Sequence, residues 1–596
     1  MAFLQPPPLA APTLVEALVY RARSTPDRPA VTILSRTRAQ TVLSYRDLYE
    51  GGLRYAGLFR HRWGLQDGEP VVLILPTGTA FFWALWGVLL GRGIPVPVYP
   101  PVRLHRMQDY GAYVRHVLQD CQARLIVTDR TLAAFLRFLR AEPVRYDFVT
   151  VEDLRSGPTL ARPLEVGPDD TALLQYTSGS TAAPRGVQLY HRHLVANILA
   201  MGNHVGLVDT DAAVSWLPLY HDMGLIGMVL GTLFWGLPLY VFSPLEFVRR
   251  PVYWLRSIAR YRATISAAPN FAYGVCATKL RDFELEGLDL TSWRIAFCGA
   301  EPILAATVEA FIRRFRPYGF QPEAFTAAYG LAENTLAVTM APIGEGLRVD
   351  RVDRQVFETE RRAVPADPAG APAMVWVACG VPIPDTEVCI ADEAGRPLPE
   401  RHEGRILVRS PSVMAGYYRN PQATAEVLRD GWLDTGDLGY MADGYLYVTG
   451  RQKELIIRGG RNYYPQDIEQ VVQAVEGVRR GNVCVFGVPD EREGTERIVV
   501  IAETKVRDPG QWPRIEADIR EQVLRAIGLP IAEIRLVPPG TLPKTTSGKL
   551  QRVRCRQAYL AGEVPSIRPE DVRRRGPLRR WFGNIVRLLR VFLKAG

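Results

Sequence analysis

Residues 175–187 read QYTSGSTAAPRGV, and from Thr177 to Thr181 the chain packs hydroxyls and one glycine into five positions, with Arg185 close behind. Hydroxyls, backbone N–H groups and a nearby cation suit a phosphate, so this stretch has to be tested as a phosphate loop. It is not of the Walker type, whose G-x-x-x-x-G-K-[ST] spacing cradles phosphates on backbone N–H groups and reaches them with a lysine. A second stretch, GTLPKTTSGKL at 540–550, has the Gly-Lys pair, but Pro543 stands where the first glycine belongs and Leu550 where Ser or Thr belongs.

At 596 residues the chain is too long for one core and calls for several domains, while 47% hydrophobic and 22% charged residues are ordinary for globular protein. The seven cysteines are scattered, odd in number and without a C-x-x-C pair, which argues against a disulfide framework and a zinc site. A reducing, cytoplasmic compartment is expected. The N-terminal MAFLQPPPLAAPTL has no basic region followed by an apolar core, so no signal peptide is expected. Met223 to Pro244 is uncharged and as long as a membrane span. Its four glycines and Pro238 favour a buried helix-turn-strand or a tunnel wall over a span.

The net charge of +10 is concentrated: the last 25 positions carry eight basic and no acidic residues. The remainder is close to neutral, which removes the case for nucleic-acid binding. Residues up to about 452 alternate short apolar runs such as VVLIL and RIAFC with helical stretches, predicting an α/β domain of mixed sheets and helices. Residues 453–562 read as a small α+β domain. Residues 563–596 read as a polar linker and then an amphipathic helix, with Trp581, Phe582, Ile585, Leu588, Leu589, Phe592 and Leu593 on one face. That helix either docks on its own protein or uses its basic face, within 572–596, on an anionic membrane surface or an acidic partner.

Taken in order, YTSGSTAAPRGV, SWLPLYHDMGLIG, APNFAYG, CGAEPI, AAYGLAENT, GWLDTGDLGY, GRQKELIIRGGRNYYPQDIE and PKTTSGKLQR resemble the adenylate-forming superfamily, and more closely its fatty-acyl-AMP ligase branch. The resemblance covers about residues 12–560. It implies an α/β adenylate-forming fold with a large N-terminal domain and a small mobile α+β C-terminal domain. It also implies ATP and Mg2+ as cofactors, and a reaction in which a fatty acid carboxylate attacks the α-phosphate of ATP.

The residue chemistry agrees with what the resemblance implies. Thr177, Ser178, Gly179, Ser180, Thr181 and Arg185 would form the phosphate loop. Tyr329 in the run Ala328, Tyr329, Gly330, Leu331 would lie against adenine, and Glu333, with Thr181, would offer Mg2+ hard oxygens. Asp437 and Arg451 resemble the ribose-binding pair, a carboxylate being suited to accept from vicinal hydroxyls. Gly299, Ala300, Glu301 and Pro302 would line the nucleotide and carboxylate pocket. His221 would stand beside the substrate carboxylate. Met223, Gly224, Ile226 and Gly227, with Asn270, Phe271 and Gly274, would wall an apolar tunnel in which each buried CH2 contributes about 0.8 kcal/mol.

Only six of the 72 basic residues are lysine. In so arginine-biased a chain, lysine is expected where a compact ammonium is required. Lys549 matches the family's catalytic lysine, and Lys453 its hinge. Glu333 and Gly380 are 47 positions apart (380 − 333), longer than expected for a CoA ligase, and about 345–380 resembles the insertion that marks fatty-acyl-AMP ligases. The implied acceptor is the phosphopantetheine thiol of a separate acyl carrier protein. Transfer to coenzyme A is the alternative within the superfamily. A non-catalytic acyl-nucleotide binder is a third reading, motivated by Ala182 and Arg185, which stand where the family has glycine and lysine.

Overall fold

The computed structural model describes residues 11–36, 39–101, 107–137, 146–154, 156–177, 184–367, 373–459, 461–490, 495–544 and 550–564. The chain divides into two compact units, Met1–Lys453 and Glu454–Gly596.

The larger unit is built on a nine-stranded sheet in the order Val381–Pro382, Ala337–Met340, Phe325–Gly330, Ile295–Cys298, Ile265–Ala268, Ala213–Ser215, Leu239–Val241, Pro29–Ile33, Thr41–Ser44. The run from Phe325–Gly330 to Pro29–Ile33 is parallel throughout, and the outer strands are antiparallel. Parallel strands covered on both faces have no reason to alternate, and Ile265–Ala268 is accordingly buried along its whole length. An aromatic cluster of Trp254, Tyr273, Trp293 and Phe311 packs beneath it, with ring centroids 4.9–6.3 Å apart. The same unit holds a four-stranded parallel sheet (Ile94–Pro97, Pro70–Ile74, Leu125–Thr128, Asp147–Thr150), a three-stranded antiparallel one (Gly416–Tyr417, Gly186–Tyr190, Thr171–Tyr176) and a five-stranded antiparallel one (Glu387–Ala391, Gly404–Arg409, Trp432–Ala442, with Leu428–Arg429 and Tyr445–Arg451 both paired to Trp432–Ala442).

The uncharged stretch after His221 folds as its glycines suggest. A wide-turn helix, Met223–Leu230, runs into a short α-helix, Gly231–Trp235. Gly236, at φ +80°, ends that helix, and the chain re-enters the sheet at Leu239–Val241. A Cβ on Gly224 would stand 2.3 Å from the Pro218 carbonyl oxygen, so only glycine allows the helix to start so close to the preceding loop. No helix among the described residues is long and apolar enough to cross a membrane.

The stretch resembling an insertion forms an antiparallel pair, Val349–Asp353 with Ala373–Val377, separated in part by the helix Arg354–Glu360. Asp350 anchors it: Oδ2 accepts from Arg401 Nη1 at 3.0 Å and from Tyr440 Oη at 2.9 Å.

The smaller unit packs the helices Pro465–Ala474 and Trp512–Ile527 with a three-stranded sheet, Val478–Asp490, Thr495–Thr504, Glu533–Val537, over a core that includes Ile468, Val472, Ile498, Val500 and Ile519. The helix Arg552–Leu560 covers the other face of the sheet through Cys555 and Tyr559. The basic segment 572–596 lies outside the described residues.

Candidate active site

Ligands in open α/β sheets gather beyond the carboxyl ends of the parallel strands. Four of the sequence motifs leave the nine-stranded sheet there. Trp216 to His221 follows Ala213–Ser215, and Pro269 to Gly274 follows Ile265–Ala268. Gly299 to Pro302 follows Ile295–Cys298, and Leu331 to Glu333 follows Phe325–Gly330. These strands are neighbours in the sheet, so segments about 30–50 residues apart in sequence emerge side by side.

Two of these loops are tied to each other. Glu301 Oε1 accepts from Phe271 N at 2.6 Å, and Asn270 Oδ1 accepts from Leu304 N at 3.2 Å. Ala300 takes a left-handed conformation, φ 67°, and a Cβ on Gly299 would approach the Ala328 carbonyl oxygen to 2.7 Å. The strand-to-loop turn therefore passes close against the neighbouring strand that leads to Tyr329.

Tyr329, Asp437 and Arg451 come together from three strands. Tyr329 Oη donates to Asp437 Oδ2 at 2.7 Å, and Arg451 Nε lies 3.2 Å from Asp437 Oδ1. The antiparallel register of Trp432–Ala442 with Tyr445–Arg451 sets Asp437 directly opposite Arg451. Thr435 Oγ1 receives the Asp437 backbone N–H at 3.1 Å. Burial, and then the Asp437 carboxylate, hold the Tyr329 hydroxyl well above its ordinary range, so it stays a donor.

Glu333 sits on a tightly determined loop. Leu331 N donates to Leu336 O at 2.9 Å, and a Cβ on Gly330 would fall 1.9 Å from that same oxygen. Thr335, at φ 65°, turns the chain back, and its hydroxyl donates to Ser412 O at 2.6 Å. Asn197, fully buried, donates to Ala337 O at 2.9 Å and accepts from Ala337 N at 3.0 Å, while Asn334 Oδ1 accepts from Ser410 Oγ at 2.6 Å. Glu333 itself accepts from Tyr417 Oη through Oε1 at 2.8 Å.

Burial raises the Glu333 pKa, the Asp222 carboxylate adds to the rise, and Tyr417 and Arg451 oppose it. A half-buried carboxylate with a second carboxylate, Asp222, acting on it is stabilised by a divalent cation, and its oxygen chemistry fits Mg2+. His221 is turned toward Asp222, with Nδ1 2.5 Å from Oδ1. Asp222 Oδ1 in turn accepts from Met223 N at 2.6 Å, capping the wide-turn helix.

At the two ends of the expected phosphate loop, Thr177 N donates to Arg185 O at 3.1 Å. The Arg185 guanidinium lies over the Tyr417 ring, 5.1 Å from its centroid, and 3.8 Å from Glu426 Oε2. Ser178, Gly179, Ser180, Thr181 and Ala182 lie outside the described residues, as does Lys549. Of the expected acyl-pocket residues, Phe271 packs edge-on to Trp216 at 6.2 Å, Ile226 is fully buried, and a Cβ on Gly227 or Gly274 would stand 2.9 Å from Leu336 Cδ2 or 3.2 Å from Thr307 Cγ2. Lys453 is the last residue of the larger unit. Sequence reasoning missed Tyr417, Thr435, Asn197 and Asp222; only Asp222, beside His221, had a local signal.

A family model described as AMP-binding enzyme matches residues 18–418, more than half of the chain. The chain belongs to the AMP-binding enzyme family. A second model, the AMP domain of Disco-interacting protein 2-like proteins, matches residues 453–568 of this AMP-binding enzyme. A Caulobacter vibrioides protein provisionally named as an acyl-CoA synthetase is 37% identical over 84% of this chain and 87% of its own length. A medium-chain-fatty-acid–[acyl-carrier-protein] ligase of Moorena producens is 35% identical over 93% of this chain and 96% of its own. A solved structure from a study of fatty acyl-adenylate ligases of E. coli and L. pneumophila superposes with a TM-score of 0.87 at 34% identity, covering 92% of this chain and 98% of that one. The α/β adenylate-forming fold and the kinship with fatty acyl-AMP ligases expected from the motifs are thus both found.

Proposed function

We propose that this AMP-binding enzyme condenses a fatty acid with ATP to acyl-AMP and pyrophosphate, then passes the acyl group to the phosphopantetheine thiol of a separate acyl carrier protein. The observation that carries the reading is the convergence of four motif-bearing loops at the carboxyl ends of neighbouring parallel strands, with Tyr329, Asp437 and Arg451 clustered at one side. In the first step a carboxylate oxygen bonds to the α-phosphorus and the α–β phosphoanhydride bond breaks, its electron pair leaving with pyrophosphate.

Tyr329 would pack against the adenine. Asp437, paired with Arg451, would accept the ribose hydroxyls. Arg185 and the hydroxyls of 177–181 would hold the departing phosphates, and Lys549 would neutralise charge between the carboxylate and the α-phosphate. Glu333, with Thr181, would hold Mg2+, which when bound supplies charge neutralisation to the phosphates. The anchored pair Val349–Asp353 and Ala373–Val377 supports a carrier-protein acceptor over coenzyme A, since it resembles the insertion that marks the ligases.

The coenzyme A reading keeps one observation in its favour, the name of the Caulobacter vibrioides relative. Mass spectrometry of products from a fatty-acid panel, with coenzyme A and with a phosphopantetheinylated carrier protein, separates the readings. Acyl-AMP and acyl-carrier without acyl-CoA is the expected result. Efficient acyl-CoA formation would reassign the acceptor, and ATP binding without pyrophosphate release in both wild type and Lys549→Ala would remove the enzyme reading.

A further inference from the structure

Arg185 stands where the sequence pattern of the family has lysine, and the structure gives that arginine a partner a lysine would serve less well. Its guanidinium lies over the Tyr417 ring at 5.1 Å. A planar guanidinium stacks on an aromatic face, whereas a compact ammonium is more strongly hydrated. The same tyrosine's hydroxyl donates to Glu333 Oε1 at 2.8 Å. One side chain thus touches both the cation at the end of the phosphate loop and the carboxylate assigned to the metal.

The backbone shows that this is a built arrangement. Gly416–Tyr417 pairs antiparallel with Gly186–Tyr190, with Tyr417 opposite Val187, and Tyr418 N donates to Gly186 O at 2.8 Å. The register therefore fixes the Tyr417 ring next to the residue that closes the loop. Three positions earlier, Met414 N donates to Glu333 O at 2.8 Å. The segment 414–418 consequently grips Glu333 by its main chain and its side chain while paired to the strand that leaves the phosphate loop. Thr424 Oγ1 receives Tyr417 N at 2.9 Å. Gly416, at φ +149°, would bring a Cβ 2.9 Å from Thr424 Oγ1, so the turn into this segment is confined as well.

We propose that Tyr417 is a positioning residue that couples Arg185 to Glu333, so that metal binding at Glu333 and engagement of phosphate by Arg185 respond to each other. This rests on the proposed assignment of Glu333 to the divalent metal and of Arg185 to the phosphates. Arg185, drawn also to Glu426 at 3.8 Å, leaves that tether when it engages phosphate and repositions the ring, and with it the hydroxyl on Glu333.

The test is electron paramagnetic resonance of Mn2+ binding to the full chain, with and without α,β-methylene-ATP, in wild type, Tyr417→Phe, Tyr417→Leu, Arg185→Lys and Glu333→Gln. A hydrogen bond to a charged group corresponds to about tenfold or more in affinity, so Tyr417→Phe is expected to weaken Mn2+ binding about tenfold. Its Mg2+ requirement for acyl-AMP formation should rise by more than kcat falls. Loss of the stack in Arg185→Lys corresponds to about two- to fivefold in the nucleotide complex, and this loss should vanish in the Tyr417→Leu background. Unchanged Mn2+ affinity in Tyr417→Phe beside a large loss in Glu333→Gln would overturn the proposal, as would independent, multiplying effects of Arg185→Lys and Tyr417→Leu. Wild-type Mn2+ binding by Glu333→Gln would instead withdraw the metal assignment itself. Should Tyr417→Phe misfold by thermal melting, the Arg185→Lys response with and without nucleotide still decides.

Discussion

Arg552→Ala should cripple the smaller unit at neutral pH and do so less in mild acid. Arg552 forks onto Glu469, Nε to Oε1 at 2.8 Å and Nη2 to Oε2 at 2.7 Å, and reaches Glu454 Oε2 with Nη1 at 2.5 Å. Glu469 is buried and the other two side chains largely so, with side-chain exposures of 14%, 6% and 11% for Arg552, Glu469 and Glu454. Removing the guanidinium strands two carboxylates out of water, which costs about 3–5 kcal/mol when a buried pair is broken. That is a large share of the roughly 5–15 kcal/mol that stabilises a folded domain.

Burial already raises the Glu469 pKa, and Arg552 is the principal group that lowers it again. Without Arg552 the folded pKa of Glu469 climbs further above its unfolded value. The Glu469 carboxyl is then tolerated when protonated at low pH, and the penalty is incurred as pH rises through that folded pKa. Hydrogen exchange of the full chain, read on peptides from Val478–Asp490 and Thr495–Thr504, measures this. At pH 7.5 the slowest amides should exchange ~150- to 5,000-fold faster than in wild type after correction for intrinsic rate, the equivalent of about 3–5 kcal/mol. The ratio should shrink toward pH 5. A ratio within about fivefold at pH 7.5, or one independent of pH, would refute the reasoning. Arg552 lies three positions beyond Lys549 and Glu454 directly after Lys453, so Arg552→Lys, which keeps the charge and loses the fork, should slow acyl-AMP formation with a smaller stability loss.

Asp350→Ala removes both side-chain bonds that anchor the strand pair Val349–Asp353 and Ala373–Val377. Exchange in 349–353 and 373–377 should accelerate by about tenfold or more, and acyl-CoA should appear among the products if this segment restricts the acceptor; unchanged exchange would show that the anchor lies elsewhere. His191, 1% exposed, accepts the Leu14 backbone N–H on Nδ1 at 3.2 Å, and burial pushes its pKa from 6.5 down to about 4 against the opposing pull of Asp170. A folded pKa below the unfolded one means stability present above pH 6.5 and lost as pH falls toward 4, on the order of 3 kcal/mol. The urea midpoint should therefore drop over that window in wild type and drop less in His191→Asn; parallel pH profiles would show that His191 is not the group responsible.

What the sequence disclosed, and what it hid, divides along a physical line. The α/β layering was legible because strands buried on both faces are continuous apolar runs, and the helix-turn-strand after His221 because glycine and proline punctuate it. The wide turns of Met223–Leu230 left no such mark, although Gly224 at their start sits where a Cβ would stand 2.3 Å from the Pro218 carbonyl oxygen. Tyr329, Asp437 and Arg451 were each recognisable within their motifs, and the strand register then placed them within hydrogen-bonding reach.

Tyr417 had no such advantage. In GYYRN it looks like any aromatic residue at a strand end, and its value arises from pairing with Gly186–Tyr190, over 200 positions earlier in the chain. Asn197 and Asn334 are polar residues on helix and loop whose role is to saturate the Ala337 backbone, a partner no periodicity reveals. Arg552, Glu454 and Glu469 read as solvated charges until the fold buries them against one another. Motif reading therefore finds groups whose own chemistry faces the substrate and is weak on the residues that aim them. Arg185 in place of lysine is a conservative exchange by charge alone, yet beside Tyr417 it adds a stack that links the phosphate loop to Glu333. A substitution that looks neutral in one motif acquires its consequence from another motif across the sheet.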